Sequence, residues 1–145
     1  MANQIRPVPT VRTYGKRTFI DEGDSVKVVA DGAVAVHDIV YASNFLGAVI
    51  SIVDGKTGVH GKETGVKGDL VTLNIIQATY ETTQIVEGQD YAVGTPVYFD
   101  PVEKVITETE TDVYAGKVVR SKEADSAIWF LLAPQHANTA KTEGE

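Results

Sequence analysis

The chain of 145 residues contains no cysteine. That absence removes disulfides, thiolate metal sites and thiol nucleophiles together, and it leaves the redox compartment open. Also missing is any run of about 18 consecutive apolar residues, the length that spans a bilayer, and residues 1–10 hold no apolar stretch of signal-peptide length. The expectation is a soluble protein made in the cytoplasm, with no membrane partner. Basic residues are in deficit, 13 Lys and Arg against 20 Asp and Glu, for a formal charge of −7. Such a field repels nucleic-acid backbones. The local exception is the N-terminal stretch, where Arg6, Arg12, Lys16 and Arg17 precede the first acidic residue, Asp21. Those four charges come without paired aromatics or a recognition-helix pattern, so no direct nucleic-acid partner is expected.

Catalytic patterns are equally scarce. His37, His60 and His136 are far apart in sequence and none falls in a metal-ligand spacing. No Gly-x-Ser-x-Gly elbow occurs, and there is no thiol. The glycine-rich segment 55–68 resembles a phosphate cradle only at first sight. Gly55 and Gly61 bracket five residues where a P-loop has four, and Glu63 follows Lys62 where it needs Ser or Thr. A surface loop that a neighbour could order is the better reading. No catalytic, cofactor-binding or metal-ligating residue follows from these patterns, and the chain is read as a non-enzyme.

What the chain does contain is the composition of a globular domain, 43% hydrophobic and 23% charged, at a length that suits one domain. Residues 1–22, with Pro7 and Pro9 and no sustained period, suit an extended arm. From Gly23 onward, short runs rich in Val, Ile, Thr and aromatics recur between Gly, Asp and Pro. This is a pattern of many short strands. In the first run Val26 and Val28 alternate with Ser25 and Lys27, which predicts one buried face. Further strands are expected at 38–42, 47–53, 70–76, 79–83, 96–99, 102–109, 114–119 and 127–132. Asp31-Gly32 reads as a turn and Asp54-Gly55 as a tight one. The organisation expected is an arm (1–22), a β domain (23–133) and a polar C-terminal tail (134–145).

A loose repeat runs through this domain. Residues 29–41 laid over 86–98 match at Val29/Val86, Ala35/Ala92, Val36/Val93, Val40/Val97 and Tyr41/Tyr98, an offset of 57. Gly47-Ala48-Val49 then resembles Gly116-Lys117-Val118, with an acidic hairpin inserted in the second copy. A duplication would close two β corners into a small β-barrel or β-sandwich, and coincidence among valine-rich strands is the competing account. In the insert, Thr107-Glu108-Thr109-Glu110-Thr111 alternates strictly, as on a solvated edge strand whose charges discourage pairing. A cation site at Glu108, Glu110 and Asp112 is the other reading, against which the loop spacing counts. The run 127–132 is apolar on both faces, hence central to a sandwich or half exposed against another subunit, with Trp129 as the interface anchor in the second case.

Several of these pieces resemble, in order, the small head decoration (capsid-stabilising, cement) proteins of tailed bacteriophages. They are Gly23-Asp24-Ser25-Val26, residues 35–41, Leu46-Gly47-Ala48-Val49, Lys67-Gly68-Asp69-Leu70-Val71, residues 92–100, residues 104–107 and Ala115-Gly116-Lys117-Val118-Val119. The most telling is the stretch 94–100, followed by Lys104-Val105-Ile106-Thr107. The arm is longer than that family's usual start, and the 55–68 insert has no clear counterpart. The resemblance implies an all-β virion protein on the capsid exterior, made in the host cytoplasm. It would stabilise the shell by bridging major capsid subunits, as a homo-oligomer, trimer or dimer, without cofactor. Contacts are expected in the arm, at Arg6, Pro7, Val8, Arg12, Tyr14, Arg17 and Phe19, and at Trp129. Two other classes stand beside it. A β-sandwich recognition module (head fibre, tail or carbohydrate-binding adhesin) predicts an exposed aromatic platform of Trp129, Tyr91 and Tyr114. A small hydrolase predicts an acid/base pair converging in a deep pocket.

Overall fold

A computed structural model describes residues 23–135, together with the strand residues Arg12–Thr13 and Lys16–Arg17. The strands in chain order are β1 (Arg12–Thr13), β2 (Lys16–Arg17), β3 (Ser25–Val29), β4 (Val34–Ala35), β5 (Ile39–Ala42), β6 (Phe45–Val53), β7 (Thr64–Gly65), β8 (Leu70–Asn74), β9 (Thr79–Thr82), β10 (Pro96–Asp100), β11 (Val105–Thr107), β12 (Val113–Arg120) and β13 (Ile128–Leu132). A four-stranded sheet has the order β3-β8-β6-β5, and a five-stranded sheet the order β11-β10-β12-β13-β9. Two-stranded ribbons, β1-β2 and β4-β7, complete the set. The protein is all-β, as its valine-rich alternation predicts. Each expected run from 25 to 132 carries a strand, while β4 and β7, two residues each, are too short to leave a period in the sequence.

The alternation sets which side is buried. Val71 and Leu73 of β8 are buried, with Leu70, Thr72 and Asn74 between them on the other face. Val97 and Phe99 do the same in β10, and Ile128, Phe130 and Leu132 in β13. The run at 102–109 departs from the expected strand. Residues 101–104 form the turn from β10, only Val105–Thr107 pair, and the chain bends away from Glu108. Thr107 is buried there, so the strict alternation of the acidic run extends past the end of the strand.

The duplication is written in the hydrogen-bond register. Val40 pairs with Gly47 and Val97 with Gly116. Val49 opposes Leu73 and Val118 opposes Phe130, and just beyond each pair the register slips, at Ile50 in one half and Val119 in the other. Past the slip, Ser51 faces Thr72 and Arg120 faces Trp129. Three loop hydrogen bonds recur as well. The N–H of His37 donates to Val49 C=O, that of Val49 to Asp38 C=O and that of Asp38 to Ala35 C=O. Their counterparts run from Gly94 to Val118, Val118 to Thr95 and Thr95 to Ala92. His37 and Gly94 both take positive φ, 82° and 91°, so the non-glycine left-handed conformation at His37 is imposed by the repeated corner. The outer strands correspond too, since Val26 pairs with Leu73 and Tyr80 with Phe130. One unit is therefore β3-β8-β6-β5, the other β9-β13-β12-β10, and β11 is the addition.

The two glycines at the repeated corner have one cause. A Cβ on Gly47 would lie 2.5 Å from the carbonyl oxygen of Asn74, and one on Gly116 would overlap the carbonyl oxygen of Leu131, which occupies the matching place. Any side chain there pushes the neighbouring strand away.

Beneath the sheets are two apolar clusters. One gathers Val28, Ala30, Val34, Ala42, Val49, Ile52, Val71 and Leu73. The other contains Tyr91, Val97, Phe99, Ile106, Val113, Ala115, Val118, Ile128, Phe130 and Leu132, and it also takes Ile39 and Leu46 from the first sheet. The halves thus share a core. Two glutamines stitch the same seam. Gln84 accepts from Ile39 N–H (2.7 Å) and donates to Ile39 C=O (3.0 Å) and Lys104 C=O (3.1 Å). Gln135 accepts from Leu46 N–H (3.0 Å) and donates to Leu46 C=O (2.9 Å). Each amide side chain fills the place of a missing strand on a backbone that would otherwise be left unpaired.

Candidate partner-binding surface

The arm expected to make contacts is described only in part. Arg12 pairs with Arg17 and Thr13 with Lys16, an antiparallel ladder within residues 1–22. Arg6, Pro7, Val8, Tyr14 and Phe19 lie outside the described residues, as does His136.

The glycine-rich segment 55–68 is organised by the domain's own side chains. Asp69, 4% exposed, accepts from the N–H groups of Gly55 (3.0 Å) and Val66 (2.9 Å) and from Lys62 Nζ (2.9 Å). Asp54 accepts from Lys56 N–H (2.8 Å), Thr57 N–H (2.9 Å) and Lys62 Nζ (3.3 Å). Backbone donors, with Lys62 behind them, hold both carboxyls below the usual carboxylate range. The ammonium of Lys62 is raised in turn, chiefly by Asp69. Its charge is committed within the loop, which leaves it unavailable as a phosphate clamp. Gly55 has no positive φ and sits where a Cβ would strike the carbonyl of Gly68. The tight turn expected at Asp54-Gly55 is instead a longer connection, and its glycine is there for close approach of two backbones.

The acidic run resolves similarly. Glu108 Oε2 accepts from Tyr91 N–H (2.6 Å), and Gln89 accepts from Glu108 N–H (2.7 Å). Among the described residues no group of three His, Asp or Glu is placed to hold a metal ion. Tyr91 is fully buried, its hydroxyl donating to Ile106 C=O (2.6 Å) and accepting from Val86 N–H (2.8 Å). Burial raises its phenol above the usual range. The aromatic platform of Trp129, Tyr91 and Tyr114 therefore does not form. Tyr91 is in the core, and Tyr114 packs edge-on against Tyr98 with centroids 5.5 Å apart.

His37 and His60 are exposed. A cleft of about 280 Å³ lies at the seam of the halves, lined in part by Asp31, Asp38, Gln84, Phe99 and Lys104. Two of its polar side chains are engaged with the backbone. Asp38 accepts from Ala35 N–H (3.0 Å), and Gln84 bridges Ile39 and Lys104.

The outward face of the five-stranded sheet is different in kind. Trp129 and Leu131 alternate with buried Ile128, Phe130 and Leu132, and both are about 40% exposed, at 41% and 40%. Val119, on the neighbouring bulge, is 41% exposed. Arg120 lies over the Trp129 ring at 4.8 Å from its centroid. It donates to Ala127 C=O (3.0 Å) and pairs with Asp125 (3.4 Å) and Glu123 (3.8 Å). The choice left open for the run 127–132 comes out divided, with Ala127, Ile128, Phe130 and Leu132 in the core and Trp129 and Leu131 facing solvent. Sequence reasoning singled out Trp129 but missed Leu131, Val119 and Arg120. The bulge that brings Val119 and Arg120 to the tryptophan leaves no mark in the sequence beyond the repeat itself.

Compared with known families, residues 20–133 match the model of a phage cement protein family. No curated protein and no solved structure matches the chain.

Proposed function

The chain belongs to the phage cement protein family, and from that premise we propose that it is a head decoration protein that binds the outer surface of the capsid and bridges neighbouring major capsid subunits. The match over residues 20–133 carries this reading. In this reading the protein performs no catalysis and needs no cofactor. The protein is made in the host cytoplasm and ends on the virion exterior. Adhesion falls to the N-terminal arm, through Arg6, Pro7, Val8, Arg12, Tyr14, Arg17 and Phe19, and to Trp129. An extended arm adds main-chain hydrogen bonds at a sheet edge of its partner. Repetition over a symmetric lattice multiplies a modest contact per copy. The working form is a homo-oligomer, trimer or dimer.

The test is to add the purified chain to undecorated capsids and measure occupancy and the force or temperature at which the shells break. Saturable binding with tougher shells is expected, and no binding by the intact chain overturns the reading. A variant lacking residues 1–20 should lose most of its occupancy; unchanged occupancy removes the arm from the contact.

A further inference from the structure

The duplication supplies an internal control for the outward faces of the two sheets. At matched register the first half carries Thr72 and Asn74 where the second carries Trp129 and Leu131. Likewise Ser51 matches Arg120, Ala48 matches Lys117, and Lys27 matches Glu81. One other outward position keeps its character, since exposed Ile50 on its bulge recurs as Val119. Towards β5 the same face of the first sheet is covered, with Tyr41 and Ala48 packed against the second core. The first sheet's other exposed apolar residues, Val29 and Leu70, are at strand ends. A β-unit of this register is thus built with Thr and Asn in the middle of its outer face. The scaffold does not require a tryptophan and a leucine there, and half-exposed apolar groups that the fold does not need mark a contact surface.

The flanks of the stripe identify what covers it. On the β12 side stand Lys117, beside Leu131, and Arg120, beside Trp129. On the β9 side stands Glu81, also beside Trp129. Among the described residues Lys117 and Glu81 take part in no ion pair. A two-fold axis lying in the interface parallel to β13 sets stripe on stripe. It also reverses the flanks, so the β12 side of one copy lies over the β9 side of the other, twice. Arg120, level with Glu81, is already paired with Asp125 and Glu123 of its own copy. Lys117, level with Leu131, comes two residues along the strand from Glu81, a span of about 7 Å that a lysine side chain covers. A surface with opposite charges on either side of an apolar stripe is self-complementary under that operation.

We infer that the outer face of the five-stranded sheet is the isologous contact between two copies of this chain, anchored by Trp129 and Leu131 and oriented by Lys117 against Glu81 of the second copy. The inference rests on the homo-oligomeric part of the proposed function and specifies its symmetry and surface. Arg120 serves as a positioning residue, since its guanidinium over the Trp129 ring restricts that side chain before contact and lowers the ordering cost of pairing.

The experiment is sedimentation velocity of the full chain over a concentration series, with capsid binding measured separately on the same preparations. The wild type should sediment as a reversible dimer. The double variant Trp129→Thr/Leu131→Asn, which installs the residues of the first half, should keep the circular-dichroism spectrum and raise the dissociation constant at least about tenfold, as loss of a central aromatic anchor does. Lys117→Glu alone should weaken pairing, and Lys117→Glu with Glu81→Lys should restore it. A wild type that stays monomeric or forms a trimer overturns the inference, as does a double charge swap that fails to restore pairing. A monomeric wild type whose capsid occupancy drops in the Trp129→Thr/Leu131→Asn variant would assign the face to the shell instead, and would do so with the proposed function intact. A dimer with these mutational responses that leaves capsids bare would do the reverse.

Discussion

Single residues carry unequal weight, and the glycines show it most directly. Gly116 combines a φ of 142° with a neighbouring carbonyl where its Cβ would sit, whereas Gly32 has open space and no positive φ. Gly116→Ala should cost about 3 kcal/mol or more, Gly47→Ala about 1–3 kcal/mol, and Gly32→Ala within about 0.5 kcal/mol of nothing. Urea unfolding of the three variants measures the order. The Asp54–Lys62–Asp69 network gives a pH dependence. Both carboxyls titrate below their ordinary value in the folded chain. Their contribution to stability is therefore complete above about pH 4 and is lost as pH falls through the folded values. Lys62, raised on folding, contributes fully below about pH 10.4 and loses that contribution as pH rises through its folded value. The amide resonances of Gly55 and Val66, both bonded to Asp69, should titrate with a midpoint below that of a free carboxylate. A midpoint at or above about pH 4 would contradict the network.

At the level of elements, the side chains that close strand edges are the sensitive points. Gln84 serves three backbone groups, two of them on edge strand β5. Gln84→Ala should cost about 1–3 kcal/mol for the partners left unpaired, and amide exchange at Ile39 should quicken with it. Chemical denaturation and exchange of that one amide check both. Among the strands, alternation in β8, β10 and β13 was legible because one face is buried at every second residue. The end of β11 was not legible, because Thr107 continues the alternating sequence while Glu108 turns aside to meet Tyr91. A period in the sequence persists through a bend that is decided by a long-range hydrogen bond.

For the whole molecule, Ile39 and Leu46 tie the first sheet into the second core. The halves should therefore unfold together. Trp129 fluorescence, which reports the second sheet, and far-ultraviolet circular dichroism, which reports both, should give one coincident transition. Two separated transitions would mean that the repeats are independent. The two copies share a core yet differ on their outer faces, where Trp129 and Leu131 of one stand at the register of Thr72 and Asn74 of the other.

Sequence alone determined the all-β class, the longer strands and the family resemblance, because burial of one face imposes a period of two, and it offered two related halves that only the hydrogen-bond register decided. It also pointed to Trp129, as the one tryptophan in a run apolar on both sides. Only the tertiary structure decided that Tyr91 is a core residue, that the glycine-rich loop is pinned by Asp69, and that Val119, Arg120, Trp129 and Leu131 form one surface. Those outcomes depend on register across strands distant in the chain and on one bulge per half, and a local pattern contains neither.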